Sequence, residues 1–110
     1  MNKYDGLVKY DKLIRDRIPE KIESNGSTYK LHVANDKEYW SKLQSKIGEE
    51  VNEFLEDPSV EELADIVEVL YAIADFNFGG RKNLEEVRLR KFEKRGGFEK
   101  KLILDETDNR

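Results

Sequence analysis

The amino-acid sequence predicts a mainly α-helical protein: an antiparallel helical bundle with a small two-stranded β element. Three observations support this. Apolar residues recur at helical spacing along two long stretches, with Trp40, Leu43, Ile47, Val51, Phe54 and Leu55 on one stripe of the first and a broad apolar arc along the second. Asp57-Pro58, Gly79-Gly80 and Gly96-Gly97 punctuate the chain where helices would have to end. Tyr29, Leu31 and Val33 alternate with polar residues, which reads as a short strand. At 110 residues, the chain is expected to form a single domain over 1–110.

The elements follow in order. Leu13, Ile14, Ile18 and Ile22 stand at helical spacing within 10–24, but Pro19 demands a break or a new first turn. Asn25-Gly26-Ser27 is a turn, and 29–33 a short strand. Asn35 or Asp36 caps a helix over about 37–56, which Asp57-Pro58 ends. Ser59 opens a helix over 60–77, stopped by Gly79-Gly80. Leu84 to Lys94 forms a third charged helix, and Leu102-Ile103-Leu104 a strand able to pair with 29–33. The tail 105–110 is expected to be loose. Trp40, Phe54, Tyr71, Phe76 and Phe92 are expected in the core, and His32 is read as structural.

Composition excludes several kinds of chemistry. Without Cys there is no disulfide framework, thiolate nucleophile or Cys-based zinc site, and one His leaves little room for a His-built centre. No apolar run approaches the roughly 18 residues of a membrane span and no signal peptide opens the chain, so a soluble, cytoplasmic protein is expected. A net charge of −4 argues against nucleic acid as the main partner. Charged residues reach 40% and hydrophobic ones only 37%, so the core is small and self-association is expected. Val69, Tyr71, Ala72 and Phe76 are the surface that one chain would struggle to cover.

Charge is unevenly distributed. From Gly48 to Phe76 there are ten acids and no Lys or Arg, whereas Arg81 to Lys101 holds nine bases against four acids. At ~100° per residue, Glu50 falls at the edge of the first apolar stripe, with Glu53 one step further out. On the second helix Glu62 falls inside the apolar arc and Asp65 borders it. Each helix thus carries an i, i+3 pair of acids at the margin of its buried face. Unpaired carboxylates there are costly, and with no base in the stretch a hard divalent cation is the natural partner. Ser59-x-x-Glu62 is also a capping box, so cap and ligand stay open for Glu62.

Glu49-Glu50-Val51-Asn52-Glu53 followed by Glu62-Leu63-Ala64-Asp65 reads as EExxE…ExxD. This resembles the all-α nucleoside triphosphate pyrophosphohydrolases, the MazG-like superfamily that includes phosphoribosyl-ATP pyrophosphohydrolase. Lys12-Leu13-Ile14-Arg15-Asp16-Arg17-Ile18-Pro19 and Lys94-Arg95-Gly96-Gly97-Phe98 are similar to motifs of a small-protein branch of that superfamily, so the resemblance spans about 10–104. It implies that Glu50, Glu53, Glu62 and Asp65 bind Mg²⁺, with Mn²⁺ as a substitute, and that Glu49 supports or orients water. Two departures from the family pattern stand. Eight residues separate Glu53 from Glu62, fewer than in most members, and Leu89 occupies the Asn position that precedes Lys91. The second bears on base and sugar recognition more than on metal.

The resemblance also implies hydrolysis between the α and β phosphates of a nucleotide, giving a monophosphate and pyrophosphate, with Glu49, Glu50, Glu53, Glu62 and Asp65 as the catalytic set. Phosphorus would be attacked by water, so no Cys, Ser or His nucleophile is required. Lys91, Lys94 and Arg95 are candidates for the substrate phosphates, as are Arg15 and Lys12. Family members associate through such helices, so a homodimer or homotetramer is expected. Phosphoribosyl-ATP as substrate is one alternative. A non-catalytic helical module, using the acids to hold a cation or to dimerise, is the other.

Overall fold

The computed structural model describes residues 8–108. They form four helices: α1 Ile18–Ser24, α2 Asp36–Glu56, α3 Val60–Asn77 and α4 Gly80–Arg95. Among the described residues there is no strand, so the expected β element is not formed. Leu31 and Val33 are exposed, as are Leu102, Ile103 and Leu104 at 82%, 82% and 77%. Alternation makes a run compatible with a sheet, but only a neighbouring backbone makes it a strand, and an isolated pair is marginal. No helix among the described residues is long and apolar enough to cross a membrane.

The helix ends follow from local chemistry. α1 starts only at the proline turn, because the Pro19 ring disfavours helical backbone before it while tolerating the first turn. Gly26, at a φ of +77°, closes it: Gly26 N–H donates to Glu23 O at 2.9 Å and Ser27 N–H to Ile22 O at 3.1 Å. At the start of α2 the capping residue is Asn35, whose Oδ1 accepts from Glu38 N–H at 2.9 Å. α4 begins four residues earlier than Leu84. Asp75 Oδ1 accepts the Arg81 N–H at 3.0 Å and Asn83 Nδ2 donates to Phe78 O at 2.8 Å, so the first turn is held from outside the helix. Gly79 and Gly80, at φ of +78° and +91°, make the turn into it.

Packing groups the chain into two compact units, Met1–Ile73 and Ala74–Arg110. Among the described residues, Leu43 and Val69 are the buried apolar side chains of the first, and Ala74 that of the second. Trp40, Phe54, Tyr71 and Phe76 are half-buried, but Phe92 is 52% exposed and not core. α4 is charged on every side and presents no stripe to bury. Of the α3 residues expected to be uncovered, Val69 is buried and Tyr71, Ala72 and Phe76 are half-buried. The exposed stripe is Val60, Leu63, Val67 and Leu70, spaced three, four and three apart along one face of α3. Of the expected loose tail, 105–108 is exposed chain without regular structure, and 109–110 lie outside the described residues.

Candidate metal centre

Only Asp57, Pro58 and Ser59 link α2 to α3, so the two helices fold back as an αα-hairpin. This brings the last turns of α2 beside the first turns of α3. Carboxylate oxygens of Glu50, Glu62 and Asp65 lie within 4.8 Å of one another. Glu50 is 7% exposed, and its Oε2 is buried without a hydrogen-bond partner among the described residues. Glu62 Oε2 is buried and unpartnered as well. Ser59 Oγ accepts the Glu62 N–H at 3.1 Å, so the serine makes its half of the capping box and leaves that carboxylate oxygen over.

Glu53 is exposed and falls outside the tight triad, but its carboxylate acts on both neighbours. Burial pushes the Glu50 carboxyl above the ordinary range, the charges of Glu53 and Asp65 push it further, and Lys46 opposes them. Glu62 is also raised, first by desolvation and then by the charges of Glu53 and Asp65. Four carboxylates therefore share one electrostatic site, of which three are close enough to grip a single small ion.

The expectation that no base compensates these acids is overturned for Asp65 and Glu50, and neighbouring Glu49 is paired too. Arg15 Nη2 donates to Asp65 Oδ1 at 2.6 Å and Lys12 Nζ to Glu49 Oε1 at 2.9 Å. Lys46 Nζ stands 3.5 Å from both Glu49 Oε1 and Glu50 Oε1. Lys46 lies two residues before the acid-only window and one turn before Glu49 and Glu50, so its pairing is readable as an i, i+3 and i, i+4 relation. Lys12 and Arg15 lie 37 and 50 residues from their partners, and no local rule reaches that far. Glu49 is not one of the close triad. Burial raises its carboxyl, but the Lys12 hydrogen bond and the Lys46 and Lys12 charges outweigh that and hold it below its ordinary value.

Lys91, Lys94 and Arg95 are exposed and belong to the second unit. Lys94 and Arg95 form the last turn of α4, where positive charge complements the carbonyl end of the helix. His32, expected on a strand, is an exposed residue whose Nε2 lies 2.8 Å from Glu38 Oε1.

The donor set suits Mg²⁺ or Mn²⁺: hard carboxylate oxygens, two of them buried and without a hydrogen-bond partner among the described residues. No family model matches the chain, and no solved structure matches it. A protein of Mycolicibacterium smegmatis, described as uncharacterized, is 49% identical over 41 residues, which cover 37% of this chain and 42% of that protein. The chain thus matches less than half the length of that relative.

Proposed function

We propose that the chain is a Mg²⁺-dependent nucleotide pyrophosphohydrolase, cleaving between the α and β phosphates to give a nucleoside monophosphate and pyrophosphate. The observation that carries this reading is the pair of buried, unpartnered carboxylate oxygens on Glu50 and Glu62 beside Asp65. Desolvated carboxylate oxygens without donors are costly, and a divalent cation held among the three carboxylates would relieve both. Glu50, Glu62 and Asp65 would hold it, with Glu53 as the fourth carboxylate. When bound, Mg²⁺ supplies charge neutralisation and Lewis acidity toward the phosphate oxygens.

Glu49 has a different part. Its depressed carboxyl makes it a poor proton store but a steady hydrogen-bond acceptor, suited to aligning the attacking water. The substrate is a small-molecule nucleotide, modified or surplus, and the setting is the cytoplasmic nucleotide pool. Incubating the protein with a panel of nucleoside triphosphates and Mg²⁺, and separating pyrophosphate from orthophosphate, tests the reading. Pyrophosphate release is expected. Turnover of phosphoribosyl-ATP alone would replace the substrate, and silence across the panel would leave a non-catalytic helical module.

The exposed stripe of α3 supports assembly as a homodimer or homotetramer. Val60, Leu63, Val67 and Leu70 are 72%, 47%, 41% and 37% exposed on one face, beside a core of very few buried side chains. Light scattering at micromolar concentration should return at least twice the 12.9 kDa chain mass. Leu63→Asp, at the centre of the stripe, should return the monomer mass. A wild-type monomer would refute the assembly.

A further inference from the structure

Residues 8–17, which precede α1, are irregular, yet side chains tie them to both α2 and α3. Lys42 Nζ donates to Asp11 O at 2.7 Å, Lys12 is held on Glu49, and Arg15 reaches Asp65. Of these contacts only the one made by Arg15 touches the acid triad. It answers one acid of the three, since among the described residues Glu50 Oε2 and Glu62 Oε2 remain without hydrogen-bond partners while the guanidinium is in place. The pair is also open: the Arg15 and Asp65 side chains are 55% and 38% exposed. An exposed pair of this kind is weak and exchangeable. A divalent cation among the three carboxylates would outcompete it for Asp65.

Arg15 would then be a guanidinium without its carboxylate, still anchored three residues away by Lys12 on Glu49. Its planar fork is suited to phosphate oxygens. A polyphosphate meeting the metal-free site would face four carboxylates and be repelled. We infer that Arg15 is a phosphate-positioning residue that rests on Asp65 until a cation takes that carboxylate, so that the site admits cation first and polyphosphate second. The inference rests on the metal-site reading proposed above and assigns the order of binding and the group that enforces it.

One substitution should move two affinities in opposite directions. Arg15→Gln removes the competitor for Asp65, so Mn²⁺ binding, followed by calorimetry or by the free-ion electron paramagnetic resonance signal, should tighten about two- to five-fold. The same variant loses the phosphate fork, so inorganic pyrophosphate titrated in saturating Mg²⁺ should bind about tenfold more weakly. Arg15→Lys, with charge but no fork, should fall between Gln and wild type for pyrophosphate. A purely structural role for Arg15 would weaken both affinities together and overturn the assignment, as would an unchanged Mn²⁺ affinity. Asp65→Asn measured alongside separates the two levels. If it loses Mn²⁺ binding while Arg15→Gln behaves as wild type, only the role of Arg15 falls; if it binds Mn²⁺ like wild type, the metal site falls too.

Discussion

Asp65→Asn should abolish nucleotide hydrolysis, lowering the rate by about a hundred- to a thousand-fold, the scale of losing one preorganised electrostatic group at a reacting centre. The substitution keeps the side-chain shape and removes one of the three charges that converge within 4.8 Å. Asp65 is half-buried, so the helical far-ultraviolet signal should be unchanged and the loss should be one of chemistry, not of folding. Glu53→Gln is the sharper companion. Glu53 stands outside the close triad, and its charge is felt by Glu50 and Glu62. A loss as deep as that of Asp65→Asn is expected if Glu53 completes the carboxylate set; a loss of only a few fold would reduce it to an electrostatic neighbour. Hydrolysis by Asp65→Asn at the wild-type rate would sink the site assignment.

The second large effect should be on stability. Glu50 and Glu62 have folded-state pKa values raised above the ordinary glutamate value of 4.5. For such groups the folded protein binds protons more tightly than the unfolded chain. Their contribution to stability is fully present below the unfolded value and is lost as pH rises through the folded values. The melting temperature of the metal-free protein should therefore fall as pH is raised from the unfolded value of 4.5 toward neutrality. Glu49 runs the other way: its lowered carboxyl contributes stability above the unfolded value and loses it as pH falls through the folded one, so it limits stability on the acid side. Glu53→Gln, removing a charge that both raised groups feel, should flatten that fall and stabilise the metal-free protein. Adding Mg²⁺ at about a hundred times its dissociation constant contributes about 2.7 kcal/mol, roughly 10–20 °C in melting temperature for a domain of this size. Scanning calorimetry with and without Mg²⁺ measures both. A melting temperature indifferent to Mg²⁺ at pH 7.5 would mean that the carboxylates do not form a cation site.

The helices were legible because what makes them is local. The spans of α2 and α3 follow from apolar periodicity and from short-range stops: the Asn35 side chain on the Glu38 N–H, the Asp57-Pro58 break and the Ser59 hydroxyl on the Glu62 N–H. The same periodicity placed Glu50 and Glu62 against the buried face, and both carry a buried, unpartnered oxygen. The turn after Asn77 was legible as a stop but not as a start, because α4 begins on bonds from Asp75 and Asn83 that no propensity describes.

What could not be read was whatever depends on a distant partner. Residues 29–33 and 102–104 have strand composition, but a strand exists only through backbone bonds to a neighbour, and among the described residues neither segment has one. The acid-only window read as uncompensated because charge was counted along the chain, whereas charges interact through space. Folding sets Arg15 on Asp65 and Lys12 on Glu49 across 50 and 37 residues. The sequence by itself determined the α-helical class, the hairpin of α2 and α3, and which acids border the buried face, since these rest on spacings of three and four residues. The tertiary structure alone decided which three acids converge, which stands apart, and which cations reach them. Coulomb energy depends on distance and local dielectric, and neither exists until the chain has folded.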